Sequence, residues 1–247
     1  MSSYTSLAPY YDLLTRDVPY GAFLAQYEQI FRRYGVAPAL VLDLACGTGT
    51  LTCLMAEHGY EMIGTDASED MLAEAAAKAG ALTQEPRPLF IRQAMDELDL
   101  YGTVGAAVCS LDGINYARPD ALDEIFRRLR LFIEPTGVLI FDILPPARLR
   151  ERDGQVFVDE TEDVYCVWRA EYDGEEDACR YGMDIFAEQN GLWSRSFEEH
   201  IEYAHAPETL IRKLTAAGFG EITLYGAFTP DPPAGDEERI FIAARRL

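Results

Sequence analysis

Val41-Leu42-Asp43-Leu44-Ala45-Cys46-Gly47-Thr48-Gly49-Thr50 is an apolar run that closes on an acid and opens into a glycine-rich turn. Residues 39 to 44 have the composition of a parallel strand buried on both faces, and Leu51, Leu54, Met55 and His58 mark one face of a helix after it. Gly47 and Gly49 free the backbone of the turn, so main chain can approach a bound small molecule. Strand, glycine turn and helix in this order form the opening unit of a nucleotide-type α/β fold. A dinucleotide fingerprint would need G-x-G-x-x-G to seat a pyrophosphate on the helix N-terminus, and the third glycine is missing.

The run Asp43-x-x-Cys46-Gly47-Thr48-Gly49 resembles the first motif of the class I S-adenosylmethionine-dependent methyltransferases. The resemblance implies that Asp43 faces the ammonium of that cofactor, directly or through water. It also brings backbone at Ala45 and Gly47 up to the methionine moiety and makes Gly49 part of the cofactor turn. Tyr60 to Asp66 then reads as a second strand ending in a carboxylate, and Asp66 is placed to accept two ribose hydroxyls. The same geometry serves NAD and S-adenosylmethionine. Ala67 follows at the strand end, and Ser68 reads as the N-cap of a helix with Met71, Leu72, Ala75, Ala76 and Ala79 on its apolar face. Met71 either packs on the adenine edge or belongs to the core.

The resemblance continues down the chain. Leu89 to Asp96 looks like the third strand and the acid that receives the adenine amino group, with Met95 alongside. Val104 to Cys109 is a fourth apolar strand, and Ser110-Leu111-Asp112-Gly113-Ile114-Asn115-Tyr116 is similar to the loop that flanks cofactor and substrate. A helical stripe runs through Leu122, Ile125, Phe126, Leu129 and Phe132. Ile133 to Asp142 resembles the next turn and strand, with Thr136 where a glycine is common. Ala217-Gly218-Phe219-Gly220 closes a helix, and Ile222 to Phe228 with Arg239 to Arg245 look like a final antiparallel pair.

The implied fold is α/β: a Rossmann-like, seven-stranded, mostly parallel sheet, its last strand antiparallel, with helices on both faces. Residues 1–147 and 205–247 form the S-adenosylmethionine-binding methyltransferase domain, with an N-terminal helical cap over 1–35. In that cap Tyr10-Tyr11-Asp12 and Val18-Pro19-Tyr20 precede an amphipathic helix marked by Phe23, Tyr27, Ile30, Phe31 and Tyr34. Tyr11 and Tyr20 are placed to touch the cofactor or to pack locally.

Residues 148–204 change period from 3.6 to 2. Val164, Cys166, Trp168, Ala170 and Tyr172 alternate with polar neighbours, Asp173-Gly174 marks a turn, and Asn190-Gly191 is a strong hairpin signal. An inserted antiparallel sheet of about three or four strands follows. Past Asn190-Gly191 the alternation predicts a packed face of Trp193, Phe197, Ile201 and Tyr203 and a polar face of Ser194, Ser196, Glu198 and His200. The family resemblance makes this sheet a lid that completes the substrate site, while edge strands rich in aromatics also pair subunits into a homodimer.

The 247 residues, 49% of them hydrophobic, bury a sizeable core, and the formal charge of -21, with 42 acids against 21 Lys and Arg, argues against nucleic acid as a partner. No stretch has the apolar length of a membrane span and no signal-like leader opens the chain, so a cytoplasmic protein without membrane association is expected. The five cysteines form no C-x-x-C pair, and the three histidines are scattered, so no metal site is expected.

The expected activity is methyl transfer to a small-molecule acceptor by in-line displacement, with S-adenosylmethionine as cofactor and the protein supplying alignment and water exclusion. His200 is the candidate base, and Tyr116 joins it as a catalytic candidate. Asp112, Asn115 and Tyr116 are the candidate substrate contacts. A non-catalytic S-adenosylmethionine-binding module is the alternative. An NAD(P)-dependent oxidoreductase is disfavoured, because neither Lys78 nor Lys213 completes the Tyr-x-x-x-Lys pair of short-chain dehydrogenases.

Overall fold

The computed structural model describes Tyr4 and residues 6–247, the side chain of Gln189 excepted. Residues 1–3 and 5 of the expected cap lie outside the described residues. The cap consists of a 3-10 turn (Ala8–Tyr10), α1 (Tyr11–Leu14) and α2 (Tyr20–Tyr34), which ends on Gly35 in the left-handed conformation.

Then follow β1 (Leu40–Leu44), α3 (Thr50–Glu57), β2 (Glu61–Asp66), α4 (Glu69–Gly80), β3 (Leu89–Arg92), β4 (Val104–Cys109), α5 (Leu122–Phe132) and β5 (Ile133–Ile143). The Ser68 side chain accepts from the Met71 N–H at 3.3 Å, the predicted N-cap of α4. After the insertion come α7 (Pro207–Ala217), β10 (Phe219–Tyr225) and β11 (Ile240–Arg246). The seven strands lie in the order β10-β11-β5-β4-β1-β2-β3, and β11 runs antiparallel to both its neighbours.

Successive residues of the central strands feed two cores, which is why the sequence shows continuous apolar runs there. Val41, Ala106, Val108, Val138 and Ile140 pack with α2 and α3 on one face, and Leu42, Leu44, Ala107, Cys109 and Leu139 with α5 and α7 on the other. Thr136 stands at φ 68, the conformation a glycine takes without strain. β10 begins three residues earlier than Ile222, because a register break between Gly220 and Thr223, with Glu221 at φ 45, interrupts the alternation.

The insertion carries α6 (Pro146–Glu151) and a separate sheet of β6 (Val156–Glu160), β7 (Val164–Asp173), β8 (Ala178–Gln189) and β9 (Leu192–Tyr203), antiparallel throughout. Its facing is the reverse of the sequence expectation. Pairing puts Glu198 beside Met183, His200 beside Tyr181 and Glu202 beside Cys179, so the polar series of β9 shares the buried face. Trp193 and Phe197 are 54% and 58% exposed, whereas His200 and Glu202 are each 4% exposed. The polar side chains turn inward because hydrogen-bonding groups await them there, in the cap and in the neighbouring strands.

Candidate functional site

β1, β2 and β4 all present their carboxyl ends at one edge of the sheet, and connections leave β1 and β4 in opposite directions, which opens a crevice between them. A cavity of about 630 Å³ occupies that crevice. Its floor is the glycine turn, where Gly47 stands at φ 54 and Gly49 at φ 69. A Cβ on Gly49 would lie 2.9 Å from both Ala75 and Phe90, so the turn also depends on close packing.

The turn is tied to the end of β2. Oδ2 of Asp66 accepts from the Gly47 N–H at 2.9 Å, and Oδ1 accepts from the Ser68 N–H at 2.8 Å. Both oxygens keep a free lone pair, and the carboxylate faces the cavity beside Ala67, Met71, Met95 and Asp96. Burial raises the Asp66 carboxyl above its ordinary range despite these bonds.

Asp43, 2% exposed on β1, also reaches the wall; Thr52 donates to its Oδ2 at 2.6 Å. Burial pushes its carboxyl up to about 7, with Asp66 adding to the rise and Thr52 opposing it. A carboxylate so poorly solvated favours a cationic ligand group. Ala45 at φ 56 and Leu111 at φ 54 are non-glycine residues in left-handed backbone, and both line the cavity. Such strain costs about 1–3 kcal/mol per residue and is held only where surrounding structure fixes it.

Tyr11 and Tyr20 of the cap roof this region, and Tyr4, Tyr116 and Arg118 close the far end. Tyr4 meets Tyr11 and Tyr116 at ring-centroid distances of 6.1 Å each. Tyr11, Tyr20, Asp43, Ala45, Gly47, Asp66, Ala67, Met71, Met95, Asp96, Leu111 and Tyr116 line one cavity. Gly49 is not on the wall; it supports the turn from beneath as the residue preceding α3.

Three expected site residues are turned elsewhere. The Asn115 side chain is fully buried: Nδ2 donates to Leu144 O at 3.1 Å and Tyr203 O at 3.0 Å, and Oδ1 accepts from the Leu144 N–H at 3.1 Å. Both its N–H donors are used and it is fully buried off the cavity wall, so it does not meet a substrate there. Asp112 is paired with Arg239 at 2.7 Å, and Arg239 also binds the fully buried Asp142. His200 lies behind Tyr4, with ring centroids 4.2 Å apart, and its Nε2 is 3.2 Å from Glu198. The cavity wall does not include it. A base inside the cavity would need a direct line that Tyr4 occupies.

Sequence patterns did not single out Tyr4, Asp12, Thr48, Thr50, Lys78 or Glu198 as site residues. Oδ1 of Asp12 accepts from Thr48 and Thr50, and Lys78 approaches the same carboxylate. An acid set among cap aromatics and a hydroxyl on each side of Gly49 were the only local signals.

The sheet order, the switch-point cavity and the acids of β1 and β2 on its wall make an α/β protein whose cavity suits a cationic ligand group better than a pyrophosphate. The family described as methyltransferase domain matches residues 41–137. A protein of Geobacillus sp. strain WCH70 that carries a provisional methyltransferase name is 27% identical over 248 residues, 99% of this chain and 100% of the relative. An S-adenosylmethionine-dependent methyltransferase structure from Clostridium acetobutylicum aligns with a TM-score of 0.87 at 24% identity, covering 98% of each chain. An amino pentose methyltransferase from Micromonospora echinaspora, solved with S-adenosylmethionine bound, aligns with a TM-score of 0.73 at 20% identity over 94% of this chain and 93% of that one. The chain is thus similar to methyltransferases over its whole length and has the fold of S-adenosylmethionine-dependent methyltransferases.

The cavity residues fit S-adenosylmethionine as a ligand: the buried carboxylate of Asp43 would meet its ammonium, the two oxygens of Asp66 its ribose hydroxyls, and Met71, Met95 and Asp96 its adenine.

Proposed function

We propose that this chain transfers a methyl group to a small-molecule acceptor bound at the Tyr4, Tyr116 and Arg118 end of the cavity. The observation that supports this reading is that the cavity lined by Asp43 and Asp66 is also lined by Tyr4, Tyr11, Tyr20, Tyr116 and Arg118. The amino pentose methyltransferase with the same fold acts, by its name, on a small molecule, which agrees with it. When bound, S-adenosylmethionine supplies a methyl carbon on a sulfonium, already electrophilic. The chain's part is then to align an acceptor atom with that carbon and to keep water out.

Tyr11, Tyr20 and Leu111 cover the methionine region, and the hydroxyls of Tyr4 and Tyr116 are the polar groups that orient an acceptor. Burial holds both hydroxyls protonated well above their ordinary range, so they act as hydrogen-bond donors at neutral pH and not as phenolate bases. His200 is not on the cavity wall, and a proton released by the acceptor therefore passes to solvent. The test is S-adenosylhomocysteine release over a panel of small amines, alcohols and carboxylates. Turnover of at least one acceptor, reduced at least about tenfold by Tyr116→Phe, supports the assignment. Tight S-adenosylhomocysteine binding with no turnover across a broad panel would favour a non-catalytic binding module.

A further inference from the structure

Glu198 lies on β9, on the buried face of the inserted sheet, with its side chain 8% exposed. Its partners come from the beginning of the chain. Oε2 accepts from the Tyr4 N–H at 3.0 Å, and Oε1 accepts from the N–H groups of Ser6 and Leu7, the latter at 3.2 Å. His200 Nε2 makes a fourth contact at 3.2 Å. Leu7 precedes the 3-10 turn Ala8–Tyr10 and has no side chain able to cap it. Glu198 instead satisfies the main-chain N–H groups of Tyr4, Ser6 and Leu7, which precede the turn and have no carbonyl partner in it. Burial alone would raise the Glu198 carboxyl, but His200 and the N–H groups of Ser6 and Leu7 hold it below its ordinary range, so it is ionised at neutral pH.

The same segment is fixed at its other end by Asp12, which accepts from Thr48 at 2.6 Å on the glycine turn. Between the two anchors lie Tyr4 and Tyr11, both on the cavity wall. A ligand in this cavity would lie against both rings. We propose that Glu198 is a positioning residue: it seats Tyr4, Ser6 and Leu7, sets the Tyr4 ring of the cavity wall against His200, and thereby sets the rate at which cofactor and its product exchange. The inference rests on the cavity being the cofactor site, and it ties the inserted sheet to that site through one carboxylate.

Two variants test it from opposite sides. Glu198→Gln keeps the shape of the side chain but loses the charge and an acceptor oxygen, and Ser6→Pro removes one N–H donor without touching the sheet. Hydrogen–deuterium exchange of the amides of Leu7 to Tyr11, and the dissociation rate of S-adenosylhomocysteine by surface plasmon resonance, are read for both variants. The control is Glu199→Gln, on the exposed face 3.9 Å from Arg180. Each of the two variants is expected to raise both rates about tenfold, the scale of a lost hydrogen bond to a charged group, and the control to change neither. Amide exchange and dissociation that match the wild type in both variants overturn the proposal. Should Glu198→Gln fail to fold, Ser6→Pro decides alone. If the wild-type chain does not bind S-adenosylhomocysteine, the cofactor assignment falls, while the exchange of Leu7 to Tyr11 still decides the anchoring.

Discussion

Lys78 Nζ lies 2.6 Å from Oδ2 of Asp12, joining α4 to α1 across the mouth of the glycine turn. Burial alone would raise the Asp12 carboxyl, but the Lys78 ammonium and the Thr48 and Thr50 hydroxyls bring it below its ordinary range. The pair is part exposed, at 27% and 45%, and its direct energy is about 1 kcal/mol or less. Lys78→Met is therefore expected to leave the melting temperature nearly unchanged and to weaken S-adenosylhomocysteine binding by up to about fivefold. Isothermal titration calorimetry checks this, and an affinity equal to that of the wild type would show that the cap is held without the pair.

Asp66 both ties the turn and lines the cavity. Its carboxylate accepts from the N–H groups of Gly47 and Ser68 while facing the cavity. Asp66→Ala is expected to lower S-adenosylhomocysteine affinity by at least about 100-fold, from the loss of two charge-assisted ribose bonds and of the turn's own support. Circular dichroism separates this from unfolding. A tenfold or smaller loss would place the ribose elsewhere.

That Asp43, Gly47 and Asp66 share one cavity wall was legible because each stands there by its place in sequence: Asp43 one residue before the end of β1, Asp66 at the end of β2, and Gly47 in the turn between strand and helix. Periodicity found the inserted strands but not their facing. The β9 alternation is the same whichever side is buried, and the choice was made by Tyr4, Ser6 and Leu7, whose N–H groups meet Glu198 from the far end of the chain. Asn115 misled for a related reason. A polar loop residue beside a cavity reads as a ligand contact, yet its amide closes on Leu144 and Tyr203, which no local pattern connects to it.

Asn115→Ala puts that correction to the test. Removing the amide strands buried main-chain groups at Leu144 and Tyr203, at a cost of about 3 kcal/mol. Thermal and urea denaturation are expected to register the loss, with S-adenosylhomocysteine affinity of the folded protein unchanged within about twofold. Unaltered stability together with a raised acceptor KM would return Asn115 to the substrate site.

Asp43 makes cofactor affinity depend on pH. Its carboxyl is pushed up to about 7 by burial, well above the value in an unfolded chain, so ionising it costs the folded state. In the free protein its contribution to stability therefore declines as pH rises from about 4 to about 7 and is level above that. A ligand ammonium needs the ionised form and has the opposite dependence. Affinity for S-adenosylhomocysteine is expected to climb with pH by up to about tenfold per unit below about 7, and to flatten above it. Calorimetry in buffers of different ionisation enthalpy is expected to show close to one proton released on binding at about pH 6 and none at about pH 8. Asp43→Asn, which keeps a partner for Thr52, is expected to weaken binding and to abolish the pH dependence together. A wild-type affinity that is flat between about pH 5.5 and pH 8 would mean that the ammonium is held by other groups, with Asp43 serving only to fix Thr52 and α3.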